Sequence, residues 1–173
     1  STQYFPREVC GIVNGSAFTV EIRLGAFASV GDAYNTFMNS DNDNFALFRR
    51  NSNNVLEFKW AAVGAGQRPT VENGLSVLQD ALVSITYEVG GEVVLYINGT
   101  RAAARDCTAA MGADNLFIGH VGNKAFRTTY RSLRFYRRAL SAEEIRRNAA
   151  VDGYVDVKEL YVQDGLGSLY SGI

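Results

Sequence analysis

The sequence predicts an all-β protein, folded as a two-sheet antiparallel jelly-roll sandwich of about ten to twelve strands with one short helix. Three observations predict this class. Segments of alternating apolar and polar residues recur along the chain, turn dipeptides separate them roughly every 8–12 residues, and a single capped helical segment follows residue 140. Strands separated by turns rather than by helices favour an antiparallel sandwich over an α/β fold.

The first 65 residues contain four or five predicted strands. Residues 8–13 and 17–27 flank the turn dipeptide Asn14-Gly15, and residues 34–38, 45–50 and 54–63 follow. In the second strand, apolar residues from Phe18 to Leu24 alternate with Thr19, Glu21 and Arg23, so we expect the apolar set to form the inner face and the polar set to face the other way. In the strand over residues 54–63, Leu56, Phe58 and Trp60 are expected to face the core.

The second half of the chain continues this pattern. A loop is predicted over residues 65–73, and Gly90-Gly91 joins strands 81–89 and 92–98 as a hairpin. Asn98-Gly99 forms the next turn, and further strands are predicted over residues 114–119 and 154–157.

Residues 129–148 combine a strand and a helix. Leu133 and Phe135 alternate with Arg134, Tyr136 and Arg138, which indicates a strand with one apolar face. Ser141 followed by Glu144 is a capping-box pattern that predicts a helix from Ala142 to about Ala149.

These residues carry a family resemblance. The run RFYRRALSAEEI, residues 134–145, resembles the closing signature of laminin-G-like domains of the concanavalin A-like lectin/glucanase superfamily. VLYING at 94–99, LFIG at 116–119 and FTVEI at 18–22 resemble further strands of that family, in the same order. The resemblance implies a concanavalin A-like jelly roll over residues 1–157. It leaves function open, because the superfamily includes lectins, adhesion modules, spacers and hydrolases.

The tail, residues 158–173, resembles the opening strand of a further such module through GLGSLY at 165–170. Two interpretations remain: the chain ends inside the next module of a tandem array, or the tail complements a sheet edge of this sandwich.

Composition excludes several classes of function. A chain of 173 residues fits one domain with a self-sufficient core, and 17 basic against 18 acidic residues give a net charge of −1. We therefore expect no nucleic-acid partner. No apolar run is long enough to span a bilayer, so no membrane insertion is expected. The absence of an initial Met suggests a processed or excised fragment. Cys10 and Cys107 are expected to be ordinary buried thiols, with one disulfide as the alternative.

No catalytic residues are predicted. A retaining glucanase of this superfamily would need an E-x-D-x-x-E or E-x-D-x-E run on one strand, and the sequence has none. The expected class is therefore not an enzyme.

Calcium is the candidate ion, although no cofactor is expected to be required. Carboxylate and amide oxygens are the ligands that calcium selects, and the resemblance implies calcium at the sandwich rim in many relatives. The same residue types are also common in turns. The candidate ligands are Asp32, Asp41, Asp43 and Asn44.

A sugar-binding site would combine exposed aromatic rings with planar polar groups. The candidate ligand-binding residues are Tyr34, Asn35, Tyr130, Arg134, Tyr136 and His120. The alternatives are structural: His120 as a solvent-facing loop residue, and Arg137 or Arg138 in an ordinary ion pair with Glu144.

The leading hypothesis is a non-catalytic binding or adhesion module of an extracellular, cell-surface or virion-surface protein, recognising carbohydrate at a loop rim. Its partners would be surface glycans and other modules of the same parent protein. The alternative is a structural or assembly module of a multidomain or fibre-like protein, including a phage-associated one, with no small ligand.

Overall fold

The computed structural model describes residues 3–5, 16–27, 33–40, 45–60, 67–107, 115–118 and 128–155. These residues form eleven strands and two helices. In chain order they are β1 Gln3–Phe5, β2 Phe18–Phe27, β3 Tyr34–Ser40, β4 Phe45–Arg50, β5 Val55–Trp60, β6 Thr70–Val71, α1 Gly74–Val77, β7 Leu82–Tyr87, β8 Glu92–Ile97, β9 Thr100–Asp106, β10 Leu116–Ile118, β11 Thr128–Tyr136 and α2 Ala142–Val151.

The strands form two sheets in which the recorded pairings are antiparallel. The six-stranded sheet has the order β1-β10-β3-β4-β5-β6, and the five-stranded sheet has the order β11-β2-β7-β8-β9. This arrangement confirms the predicted all-β sandwich of the jelly-roll type.

The core lies between the inner faces of the sheets. Phe18 packs against Phe45 and Tyr87, with ring centroids 5.5 and 5.7 Å apart, and Phe58 stacks on Trp60. Trp60 is 1% exposed, which confirms its predicted position in the core. Alternation along β2 and β5 therefore identifies the inward residues correctly, because one face of each strand must be buried.

Two turns match their sequence signals. Gly91 N donates to Glu88 O at 2.9 Å in the β7–β8 turn, where Gly90 has φ +72°. Asn98 and Gly99 have φ of 52° and 82°, the left-handed pair that a two-residue hairpin of type I′ requires.

Helix α2 covers the outer face of the five-stranded sheet. A second apolar cluster, Val94, Tyr96, Leu140 and Ile145, lies between the helix and the sheet. Thr19 and Glu21 lie on the face of β2 opposite the core, and both are 0% exposed, because helix α2 forms a third layer over that face.

Some predicted boundaries also differ. Tyr154 and Val155 form a bend rather than the predicted final strand, because Tyr154 N bonds to Ala149 O at 2.8 Å and closes the helix instead of joining a sheet. The predicted loop 65–73 includes the short strand β6, and α1 follows it. Cys107 is buried as expected. Residues 8–13, Cys10, the Asn14-Gly15 turn and the tail 158–173 lie outside the described residues.

Candidate functional site

The start of helix α2 is fixed to strand β2 by a hydroxyl relay. Leu140 N donates to Thr19 Oγ1 at 2.8 Å, and Thr19 Oγ1 donates to Arg138 O at 3.0 Å. The predicted capping box is present: Glu144 N donates to Ser141 Oγ at 3.2 Å, and Ser141 N donates to Glu144 Oε2 at 2.9 Å. These bonds satisfy the orphan amides of the first turn.

Arg138 also pairs with Glu144, through two hydrogen bonds of 2.8 and 2.7 Å. The predicted ion pair at this corner is thus confirmed. The hydrogen bonds from Arg138 lower the pKa of Glu144 to about 2. A two-point guanidinium–carboxylate pair of this kind fixes orientation as well as charge.

Glu21 lies at the centre of a polar cluster beneath α2. Ser84 Oγ donates to Glu21 Oε1 at 3.2 Å, whereas Asn148 Nδ2 and the Tyr136 hydroxyl donate to Oε2 at 3.0 and 3.3 Å. Arg134 Nε is 2.9 Å from Oε2, an ion pair. A carboxylate that is 0% exposed must be compensated in this way, because desolvation of an unpaired charge is costly.

Arg134 joins this cluster to the end of the helix. Its Nη2 contacts Asp152 Oδ2, and Arg23 Nη1 lies 3.8 Å from Asp152 Oδ1. Arg23 Nε also donates to the Tyr154 hydroxyl at 3.2 Å. Burial by itself would lower the pKa of Arg134, but the hydrogen bond to Asp152 and the charge of Glu21 raise it. Burial and the charge of Glu21 raise the pKa of Tyr136.

Two of the predicted ligand-binding residues, Arg134 and Tyr136, therefore lie together, but their polar atoms bond to protein groups. Glu21 and Asp152 are linked through Arg134, and the complete burial of Glu21 keeps that carboxylate from reaching a glycosidic bond. The polar contacts of this cluster attach α2 to the sheet. Sequence reasoning missed Glu21, Asn148 and Asp152 as its members, since they meet only when the helix packs on the sheet.

Tyr130 lies on the opposite side of the sheet from Arg134, which corrects its predicted exposure on the outward face. Tyr130 pairs with Leu24 and Ser132 with Arg23, so Arg131 is an extra residue that forms a bulge. The bulge reverses the alternation, and the Tyr130 hydroxyl donates to Phe37 O at 3.0 Å.

Asn35 is 0% exposed, so its predicted exposure is wrong as well. It lies on the core-facing side of β3, where its Oδ1 accepts from Arg49 Nη1 at 2.8 Å. Asn35 and Phe37 are two residues apart on one strand and therefore share a face. This spacing is the sequence signal that indicates burial of Asn35.

Tyr34 is half-buried on the six-stranded sheet, with its ring edge-to-face to Phe48 at 5.5 Å. His120 and the candidate calcium ligands Asp32, Asp41, Asp43 and Asn44 lie outside the described residues, so their roles stay predictions. Within the described ranges, no three His, Cys, Asp or Glu side chains come together as a metal site. In the same part of the chain, neither helix has the length and apolar character to cross a bilayer.

Three solved structures with similar folds are described as binding domains or binding proteins. A candidate carbohydrate-binding protein from Bacteroides ovatus superimposes with a TM-score of 0.63 at 21% identity, over 84% of this chain and 43% of that chain. The IT-sialidase CBM40 of Ruminococcus gnavus, bound to α2,3-sialyllactose, gives 0.57 at 17% identity, over 79% and 82%. The binding domain of botulinum neurotoxin serotype G gives 0.64 at 12% identity, over 87% and 40%.

The chain therefore spans less than half of the Bacteroides and neurotoxin chains, and identities of this size show a shared fold only. No curated protein matches this sequence. The family model of laminin-G-like domains, described as the concanavalin A-like lectin/glucanases superfamily, matches residues 2–146. The chain thus belongs to the concanavalin A-like lectin/glucanase superfamily.

Proposed function

We propose that this chain is a non-catalytic carbohydrate-binding module of an extracellular or surface protein, and that it recognises its ligand at a loop rim of the sandwich. The observation that carries the proposal is the closure of the outer face of the five-stranded sheet by α2. Because Glu21, Arg134 and Tyr136 bond to protein groups beneath that helix, they do not face a ligand, and we place the ligand-binding surface at the rim turns instead.

The structural neighbours support the ligand class. One is described as a candidate carbohydrate-binding protein and another is bound to sialyllactose. Their sandwiches share this chain's fold, and loops at the ends of a sandwich are the places where specificity is usually built.

The test is a glycan array probed with the purified chain in calcium and again in excess chelator. Selective binding to a defined set of glycans supports the proposal, and loss of that binding in chelator shows that the binding requires a divalent ion. A chain that binds no glycan in either buffer contradicts the proposal. If that chain also forms oligomers that disappear when residues 158–173 are deleted, the structural-module alternative is favoured.

A further inference from the structure

An arginine lies beneath the turn that joins β4 to β5. Arg49 faces the core side of β4, opposite Leu56, and is 5% exposed. Its Nε donates to Asn54 Oδ1 at 2.8 Å, and its Nη1 donates to the Oδ1 atoms of Asn35 and Asn51 at 2.8 and 2.5 Å. Burial lowers the pKa of Arg49. Transfer of a guanidinium out of water costs free energy unless the group makes hydrogen bonds. Because Arg49 makes these bonds to Asn51 and Asn54, at the two ends of one turn, it holds that turn in place.

A second segment is attached to the same turn. Asn54 O accepts from Gly74 N at 2.7 Å, and Asn54 Oδ1 accepts from Leu75 N at 2.9 Å. A Cβ added to Gly74 would lie 2.9 Å from Leu56 N, so the start of α1 is in direct contact with the sheet. Residues 51–54 and 72–75 thus form one surface feature, here called the asparagine corner.

The backbone of this end of the sandwich is unusually constrained. The described residues include four non-glycine residues with positive φ, and all four lie at this end: Asn54, Asn73, Asp80 and Asn98. The β7–β8 turn at the other end uses Gly90 for the same conformation. A non-glycine residue keeps a positive φ only where the surrounding structure holds it there. A surface that is already ordered loses little conformational entropy when it binds a ligand.

The exposed groups of the corner suit a neutral sugar. Ser52, Asn53 and Asn73 are exposed, and hydroxyl and amide groups both donate and accept, as sugar hydroxyls do. The half-buried Tyr34 lies on the strand next to the corner, where its backbone pairs with Arg50, and its ring packs edge-to-face on Phe48.

The corner itself has no basic side chain with which to pair an acidic sugar. Within residues 51–54 and 72–75, the one ionisable side chain is Glu72, which is exposed. The neighbouring arginines are engaged by protein groups: Arg50 and Arg68 pair with Glu57 at 2.7 and 3.2 Å, and Arg49 donates to Asn51 and Asn54. We propose that the asparagine corner is the ligand-binding rim and that its uncharged hydroxyl and amide groups recognise neutral, hydroxyl-rich sugars. This inference rests on the proposed function.

The experiment is isothermal titration calorimetry with the best neutral glycan from the array and with α2,3-sialyllactose. The test variant is S52A/N53A, which changes two exposed side chains, and the matched control is E88A/V89A, two exposed residues at the other end of the sandwich. We expect S52A/N53A to weaken binding of the neutral glycan at least tenfold without a change in Tm. We expect E88A/V89A to bind like the unmodified chain.

The outcomes separate the two proposals. If S52A/N53A binds the glycan as tightly as the unmodified chain, the asparagine corner is not the binding site, but the proposed function stands. If the chain binds sialyllactose tightly and binds no neutral glycan, the proposal that the corner recognises neutral sugars is wrong. No binding by the unmodified chain overturns both proposals.

Arg49 and Asn35 act as positioning residues in this inference. Asn35→Asp keeps an acceptor for Arg49, whereas Asn35→Leu removes it. Rescue of affinity by Asn35→Asp, at temperatures where both variants are folded, supports the positioning role, and equal affinities in the two variants contradict it. If Asn35→Leu fails to fold, the S52A/N53A comparison still decides the proposal.

Discussion

Asn148 on helix α2 donates its side-chain amide to the carboxylate of Glu21 on strand β2, at 3.0 Å and across 127 residues of sequence. The same amide donates to the Tyr136 hydroxyl at 3.1 Å. This contact links the C-terminal half of the helix to the centre of the sheet, so the attachment of α2 depends on a buried polar group as well as on the apolar cluster near its start.

We expect Glu21→Ala to lower the free energy of unfolding by about 3 kcal/mol, because it leaves the half-buried Arg134 and the donors of Ser84, Tyr136 and Asn148 without their acceptor. Asn148→Ala should cost about 1–3 kcal/mol. Urea unfolding of both single variants and the double variant measures their coupling, expected at about 1 kcal/mol. Additive costs would contradict the contact, and Glu88→Ala, on an exposed turn, should stay within about 0.5 kcal/mol.

The ion pair between Arg138 and Glu144 predicts a stability that falls in acid. The pKa of Glu144 is lowered from 4.5 to about 2 in the folded chain, so this carboxylate stabilises the fold fully above pH 4.5. The stabilisation is lost as pH falls from 4.5 towards 2, because the unfolded chain then binds the proton more readily. An NMR titration of the Glu144 carboxyl checks the value. In Arg138→Gln the pKa should rise towards 4.5, and an unchanged titration would contradict the assignment.

Gly99 has two reasons to be glycine. Its φ is +82°, and a Cβ at this position would lie 2.7 Å from Ala149 Cβ on the helix. Gly90 shares the positive φ but has no neighbour within 4 Å of its Cβ position. We expect Gly90→Ala to cost about 1–2 kcal/mol for the backbone alone. Gly99→Ala should cost about 1–3 kcal/mol more, because it forces the helix from the sheet. Equal costs in thermal unfolding would show that the helix does not press on this turn.

The bulge at Arg131 predicts that alanine substitutions at two neighbouring residues, Tyr130 and Arg131, lower the free energy of unfolding by different amounts. Tyr130→Ala should destabilise the chain by about 2–3 kcal/mol, since it removes an inward ring and the hydrogen bond to Phe37 O. Arg131→Ala removes an exposed ion pair with Asp80 and should cost less than about 1 kcal/mol. Urea denaturation compares the two variants. A larger cost for Arg131→Ala would place Tyr130 on the outer face after all.

The calcium prediction is tested separately at its two groups of candidate ligands, Asp32 and residues 41–44, because strand β3 separates them in the sequence. Asp32 precedes strand β3 and residues 41–44 follow it, and a strand of seven residues spans about 20 Å. If calcium binds, it should raise Tm, because a ligand that binds only the folded chain stabilises it. The increase should be lost in Asp41→Asn/Asp43→Asn or in Asp32→Asn, whichever group holds the ion. An unchanged Tm across a calcium titration of the unmodified chain would contradict the prediction.

The sequence by itself determined most of the long strands, two hairpin turns and the capped helix, but not β1, β6, β9 or α1. Alternation along residues 18–24 and 56–60, the left-handed Asn98-Gly99 pair and the Ser141/Glu144 box each depend on residues a few positions apart, so local chemistry suffices to predict them. The family resemblance added the concanavalin A-like class of the sandwich, whereas the order of the strands in each sheet came from the structure.

Only the tertiary structure decided which faces are covered and which residues meet. Glu21 is buried although its strand marks it as outer, because α2 returns over the sheet after more than one hundred residues. Tyr130 turns inward through a bulge that depends on the partner strand, and Arg49 bonds to asparagines from strand β3 and from the β4–β5 turn. These contacts depend on cross-strand register and layer packing, which a residue's near neighbours in sequence do not specify.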